Sequence, residues 1–249
     1  MRPLIAGNWK MHGLARQLGE IGAIAAAVET TQPSADILIC LPATLIDRAA
    51  QIVAGRIELG GQDCSAEEAG AFTGDVSVEM LRDAGASAVI VGHSERRHHH
   101  GETDAIVSAK AKAASKAGLL TIICIGETKS ERADDETLSI CDAQLAGSMP
   151  DGMILSATAV AHEPLWAIGT GRIPTSEEIV AVHSHIRRRL LSRFGEDGRH
   201  VRILYGGSIK PDNAHEILAL PEVDGGLIGG ASLLAEDFEA IIRAVSAGH

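Results

Sequence analysis

Eight short apolar runs punctuate the chain: Leu4–Ala6, Ile37–Leu41, Ile57–Leu59, Ala88–Val91, Leu120–Ile125, Ala157–Ala161, Val201–Tyr205 and Gly226–Ile228. Each has the length of a buried strand. Between them lie longer stretches with helical periodicity, among them Leu14–Val28, Asp104–Ala117, Ser176–Phe194 and Phe238–Val245, with Ser176 and Glu178 near a helix start. Their spacing suits strand–helix–strand crossovers, and eight such units in 249 residues predict a closed (β/α)8 barrel of parallel strands with outer helices. A doubly wound sheet of that strand number fits less well. With aromatics at 2%, the core must rest on Ala, Val, Ile and Leu, as parallel strands covered by helices require. No Pro-, Ser- or Gln-rich spacer divides the chain and its 27 glycines are scattered, so residues 1–249 are read as a single barrel domain.

The net charge of −11 argues against nonspecific binding to nucleic acid or anionic membranes, and an anionic small molecule would need a local positive site. Cys40, Cys64, Cys124 and Cys141 form no CxxC pair, which points away from a zinc knuckle or a thioredoxin-type motif and toward reduced thiols. Met1–Lys10 lacks the apolar region of a signal peptide, and the run near Leu119–Ile125 is far too short to span a bilayer. A cytoplasmic protein is expected.

Barrel sites lie where strands end, at the carboxyl face, and the residues there are chemically unusual. Asn8 and Lys10 follow the first run, His93 the fourth and Glu163 the sixth; Tyr205–Ser208 (YGGS) follows the seventh and Gly229–Ser232 (GGAS) the eighth. Pro164 forbids continued sheet pairing after Glu163, and Gly169, Thr170 and Gly171 form a flexible tip, so a base and its cover would be adjacent in sequence. An ordinary loop carrying a solvated glutamate reads the same way.

Gly229 and Gly230 ahead of a helix start, with Gly206, Gly207 and Ser208 from the neighbouring strand, would let backbone N–H groups approach a phosphate. Each Gly-Gly-X-Ser turn taken singly is also an ordinary turn. Lys10 would add a full charge facing this cradle, although lysines are usually solvated. Amide groups of Ser94 and Glu95, if they begin a helical turn, would keep His93 neutral and able to donate a hydrogen bond to a carbonyl oxygen. A lone histidine is otherwise more often structural, and the His98–His100 run reads as a solvated loop or helix edge rather than a metal site.

The strings AGNWKM, GAFTGDVS, VGHSERR, EPLWAIGTG, YGGS and GGAS, in this order from Leu4 to Ser232, resemble those of the triosephosphate isomerase family along essentially the whole chain. The resemblance implies the TIM-barrel fold and a cofactor-free, metal-free aldose-ketose isomerase. It would interconvert dihydroxyacetone phosphate and D-glyceraldehyde 3-phosphate through an enediol(ate), in glycolysis and gluconeogenesis. By the same resemblance Glu163 is the base, His93 the proton-moving electrophile, Lys10 the charge stabiliser, Asn8 an orienting group and Glu95 an ion-pair partner for Lys10. The phosphate would rest on the backbone N–H groups of Gly169, Ser208, Gly229 and Gly230. Pro164–Pro174 would close as a lid, with Trp166 and Ile168 as its apolar body, excluding water from the intermediate.

Five positions depart from the common pattern of that family: His162 for tyrosine, Asp63 for asparagine, His12 for asparagine, His100 for an aromatic residue, and Pro174 where an alanine N–H often meets the YGGS tyrosine. Proline has no such donor, so Tyr205 must latch the lid differently or not at all. The segment Asp63–Ser77 resembles the family's intersubunit loop, which implies a homodimer with Thr73 near Asn8 and Lys10 of the partner subunit. A surface loop on a monomer would instead expose Phe72 without benefit. An isomerase of a longer ketose phosphate such as a tetrulose phosphate, and a catalytically silent barrel that binds partners or phosphometabolites, are the two other readings. The intact motifs argue against the first, and retention of Glu163, His93 and Lys10 against the second.

Overall fold

The computed structural model describes residues 1–167 and 173–246. Strands β1 (Leu4–Asn8), β2 (Asp36–Cys40), β3 (Glu58–Gly61), β4 (Ala88–Val91), β5 (Leu120–Ile125), β6 (Thr158–His162), β7 (Arg202–Tyr205) and β8 (Gly225–Ile228) pair in chain order, all parallel. β8 returns to β1 through Leu4–Gly225, Ile5–Gly226, Ala6–Leu227 and Gly7–Ile228, and closes the barrel. Each of the eight apolar runs contributes to one of these strands.

The connections carry α1 (Leu18–Thr31), α2 (Ala43–Val53), α3 (Val78–Asp83), α4 (Ser94–His100), α5 (Asp104–Lys116), α6 (Lys129–Ala133), α7 (Thr137–Ser148), α8 (Ser176–Phe194), α9 (Ala214–Leu218) and α10 (Ala235–Ser246). Because strand side chains alternate, two cores form. Leu4, Ala6, Leu38, Cys40, Ala88, Ile90, Ile122, Cys124, Ala159, Ala161, Leu204 and Leu227 fill the barrel. Their strand neighbours, such as Ile5, Ile39, Val89, Ile123, Val160 and Ile203, pack outward under the helices.

The expected helix at Leu14 starts later. A 3-10 turn at Ala15–Gln17 comes first, because the Gln17 side chain accepts the Leu14 N–H at 2.7 Å and tightens the chain there. The third strand runs past Leu59 to Gly61, where a Cβ on Gly60 would meet Cys40 Sγ at 2.7 Å and one on Gly61 would meet Leu81 Cδ1 at 2.8 Å. These glycines are demanded by packing. α10 begins three residues before the expected Phe238, its Ala235 N–H donating to Glu20 Oε2 at 2.8 Å. Among the described residues no helix is long and apolar enough to cross a membrane.

Closure depends on Gly225, whose φ of +141° is a backbone state that L side chains rarely adopt. A Cβ there would collide with the Leu4 backbone. Gly225→Ala is expected to lower unfolding stability by at least about 2 kcal/mol in denaturant titration. An unchanged midpoint would contradict this account of closure.

Candidate active site

Parallel pairing points every strand's carboxyl end to the same rim, and a cleft of about 300 Å³ opens there. It is lined by Asn8, Lys10, His12, His93, Glu163, Gly206, Gly207, Ser208, Lys210, Gly229 and Gly230, among others. Two lysines therefore stand at one opening in an otherwise acidic chain. Lys210 carried no signal beyond lying just past the YGGS string, and His12 stood out only as a departure from the family pattern after WKM.

Glu163 is the buried centre of this group, 2% exposed. Its Oε1 lies 2.9 Å from His93 Nε2, and its Oε2 accepts the Ser94 N–H at 3.0 Å. Burial by itself raises a carboxyl, but the His93 ring, the Ser94 amide and the Lys10 charge outweigh it and hold Glu163 below the usual carboxylate range. β6 ends at His162, ahead of Pro164, as expected. Beyond the ladder, Glu163 N–H donates to the Ile125 carbonyl at 2.7 Å and Leu165 N–H to the Glu127 carbonyl at 3.1 Å, which tie the loop on either side of the proline to the end of β5.

The glycines around Glu163 have a role different from the one expected of them. A Cβ on Gly206 would sit 2.9 Å from Glu163 Cγ, and one on Gly126 would strike the Glu163 carbonyl; one on Gly207 would strike the Tyr205 hydroxyl. Gly206 and Gly207 thus make room for protein groups. Gly229 and Gly230 remain open, with only Lys10 Cε, at 3.6 Å, near the first. The turn after them is a single 3-10 turn, Gly230–Ser232, rather than the start of an α-helix. Asn213 secures the YGGS turn, its Nδ2 donating to the Ser208 carbonyl at 3.1 Å and its Oδ1 accepting the Lys210 N–H at 2.8 Å. Gly169 lies outside the described residues.

Lys10 adopts φ +53°, an uncommon state for a side-chain-bearing residue, and its N–H donates to Asn8 Oδ1 at 3.0 Å. Lys10 Nζ meets Glu95 Oε1 at 2.6 Å. Trp9 Nε1 donates to the Ser232 carbonyl at 2.8 Å, which locks the first rim loop to the last. Arg97, in the HSERR string, donates to the Gly92 carbonyl at 2.9 Å and to the Cys124 carbonyl at 3.1 Å, and so braces the loop that carries His93.

A family model described as triosephosphate isomerase matches residues 3–245. The protein of that name from Afipia carboxidovorans is 57% identical over 245 residues, 98% of each chain. The chain belongs to the triosephosphate isomerase family. The family member from Caulobacter vibrioides is 56% identical over 98% of this chain and 97% of its own. A crystal structure of triosephosphate isomerase from Bartonella henselae superposes with a TM-score of 0.91 at 48% identity, covering 98% of this chain and 99% of the other.

Several of the departures from the family pattern gain a physical account. Asp63 accepts from Lys110 at 2.7 Å and lies 2.7 Å from Arg96, while Glu102 pairs with the same two cations, so a carboxylate there completes a half-buried network. His162 Nε2 lies 3.2 Å from Glu127 Oε2, and Trp166 Nε1 donates to Glu127 Oε1 at 2.8 Å. The Tyr205 hydroxyl has no hydrogen-bond partner among the described residues. Pro174 is buried, Ile168 lies outside the described residues, and the His98–His100 run ends α4 exposed. Nothing in the structure explains His100.

The Glu95 N–H donates to His93 Nδ1 at 3.2 Å, as expected for a ring held neutral on that side. The other side differs. Burial lowers the imidazole, but the Glu163 carboxylate at Nε2 outweighs it and raises His93 above its ordinary value. A raised histidine contributes stability that is fully present below about pH 6.5 and is lost as pH rises through the folded value. NMR titration of the ligand-free protein is expected to place His93 above about 6.5, and Glu163→Gln to lower it, since the carboxylate that outweighs burial is then gone while Glu95 and Lys10 act as before. A wild-type value at or below 6.5 would contradict the contact's sign.

Proposed function

We propose that this chain interconverts dihydroxyacetone phosphate and D-glyceraldehyde 3-phosphate through an enediol(ate), without metal or organic cofactor, as a cytoplasmic enzyme of glycolysis and gluconeogenesis. The observation that carries the reading is the fully buried Glu163 carboxylate, bonded to His93 and Ser94 within a cleft that also holds Lys10. The whole chain is read as one barrel domain serving this site.

In the proposed cycle the substrate phosphate rests against the backbone at Gly169, Ser208, Gly229 and Gly230, with Lys10 and Lys210 offsetting the chain's negative field. Glu163 leaves the Ser94 amide, removes a proton from one carbon and returns it to the next. As the carboxylate withdraws, His93 loses the neighbour that raised it. Burial and the Glu95 N–H on Nδ1 then favour the neutral ring, whose Nε2–H polarises the substrate oxygens. Lys10, steadied by Glu95 and placed by Asn8, stabilises the charge that develops on oxygen. Trp166, anchored on Glu127, belongs to the proposed lid, Pro164–Pro174.

A homodimer through Asp63–Ser77 is part of the proposal, with Thr73 approaching Asn8 and Lys10 of the partner subunit. Residues 66–75 are exposed without exception, and Phe72 is 46% exposed at the tip, which supports an intersubunit role.

The test is a coupled assay of glyceraldehyde 3-phosphate isomerisation on wild type and Glu163→Asp, with erythrulose phosphate in competition. Rapid turnover of the triose that falls about 10²- to 10⁴-fold in the variant is expected. Preference for the tetrulose, or a variant as active as wild type, would overturn the substrate or the base respectively.

A further inference from the structure

On the outward side of β6, away from the cleft, polar groups from several elements meet in a buried space. Glu127 follows β5, Cys141 comes from α7 and His162 ends β6. One ligand-type atom of each lies within 4.8 Å of the other two. The residues are 1%, 0% and 3% exposed. A thiol, an imidazole and a carboxylate form a donor set that suits zinc and its neighbours among the transition metals, not magnesium or calcium, which prefer oxygen alone.

A second observation points the same way. His162 Nδ1 and His183 Nε2 are buried and have no hydrogen-bond partner among the described residues, and the two rings stand edge to face with centroids 5.8 Å apart. His183 is completely buried, and its Nδ1 lies 3.0 Å from the Glu222 carbonyl. A carbonyl accepts, so Nδ1 carries the proton and Nε2 presents a bare lone pair. A backbone oxygen that fixes the tautomer is the usual support of a metal-binding histidine.

We propose that Glu127, Cys141 and His162 form a site for a divalent transition metal of the zinc class, with the His183 ring packed edge to face beside it. On binding, the Cys141 thiol loses its proton to solvent and its sulfur bonds the ion. The proton on His162 moves from Nε2 to Nδ1, and the Glu127–His162 hydrogen bond is replaced by a bond from each residue to the metal. Two positive charges then meet one thiolate and one carboxylate, so the completed site is neutral, as a buried ion requires. The ion would tie β5, β6 and α7 together, and metal that binds only the folded state raises the melting temperature.

The probe is Co²⁺ added to the full-length protein, because thiolate-to-cobalt charge transfer reports a cysteine ligand and the exposed His98–His100 run cannot produce it. Wild type is expected to show a stoichiometric near-ultraviolet charge-transfer band that Zn²⁺ abolishes, and to melt at a higher temperature with Zn²⁺. Cys141→Ser and His162→Tyr each lose the band, and a variant with glutamine at His98, His99 and His100 keeps it. If Cys141→Ser fails to fold, His162→Tyr supplies the comparison. No band in wild type, or a band that survives either substitution, overturns the site.

Discussion

Closure of β8 onto β1 with every strand parallel is the constraint from which the rest of this molecule follows. Parallel neighbours must be joined by crossovers that run back outside the barrel through helices, so eight carboxyl ends share one rim. Asn8, His93 and Glu163 are far apart in sequence, yet this geometry makes them neighbours. The inner core of small and medium side chains, Ala6, Ala88, Ala159 and Ala161 among Leu and Ile, fills the barrel beneath them and gives the rim a rigid floor.

On that floor the decisive balance is between desolvation and pairing at Glu163. A buried carboxylate is costly unless charges and donors meet it. The His93 ring, the Ser94 amide and Lys10 supply that compensation, while Gly206 leaves room for the side chain and Gly126 for the Glu163 backbone. The same contact shapes His93, which is raised by the carboxylate on one nitrogen and met by an amide donor on the other. Moving one carboxylate therefore changes the protonation preference of two groups, and in the proposed cycle this coupling serves the transfer of a proton between two carbons.

Much of this was legible in the chain. Strands buried on both faces leave continuous apolar runs, so all eight could be located, and rim residues stand out because they break those runs. Local hydrogen bonds were harder to see: the Gln17–Leu14 contact that delays α1 competes with helix propensity through a side chain that no periodicity reveals. Partnerships across long separations were invisible. Asp63 with Lys110, Glu127 with Trp166, and Arg97 with the Gly92 and Cys124 carbonyls depend on which loops the barrel brings together. The glycines of YGGS were visible, but the reason for them was not, since only the folded chain places Glu163 against Gly206 and the Tyr205 hydroxyl against Gly207.

In the proposed cycle Glu163 is a mobile base parked on Ser94 and His93 until substrate arrives. That role is tested most directly by a crystal structure with a two-carbon phosphocarboxylate, whose planar carboxylate imitates the enediolate while its phosphate fills the open turn at Gly229 and Gly230. Glu163 is expected to leave the Ser94 N–H and face the inhibitor, with His93 Nε2 and Lys10 Nζ on the inhibitor's carboxylate. A complex in which Glu163 keeps its 3.0 Å bond to Ser94 while the inhibitor occupies the cleft would contradict it.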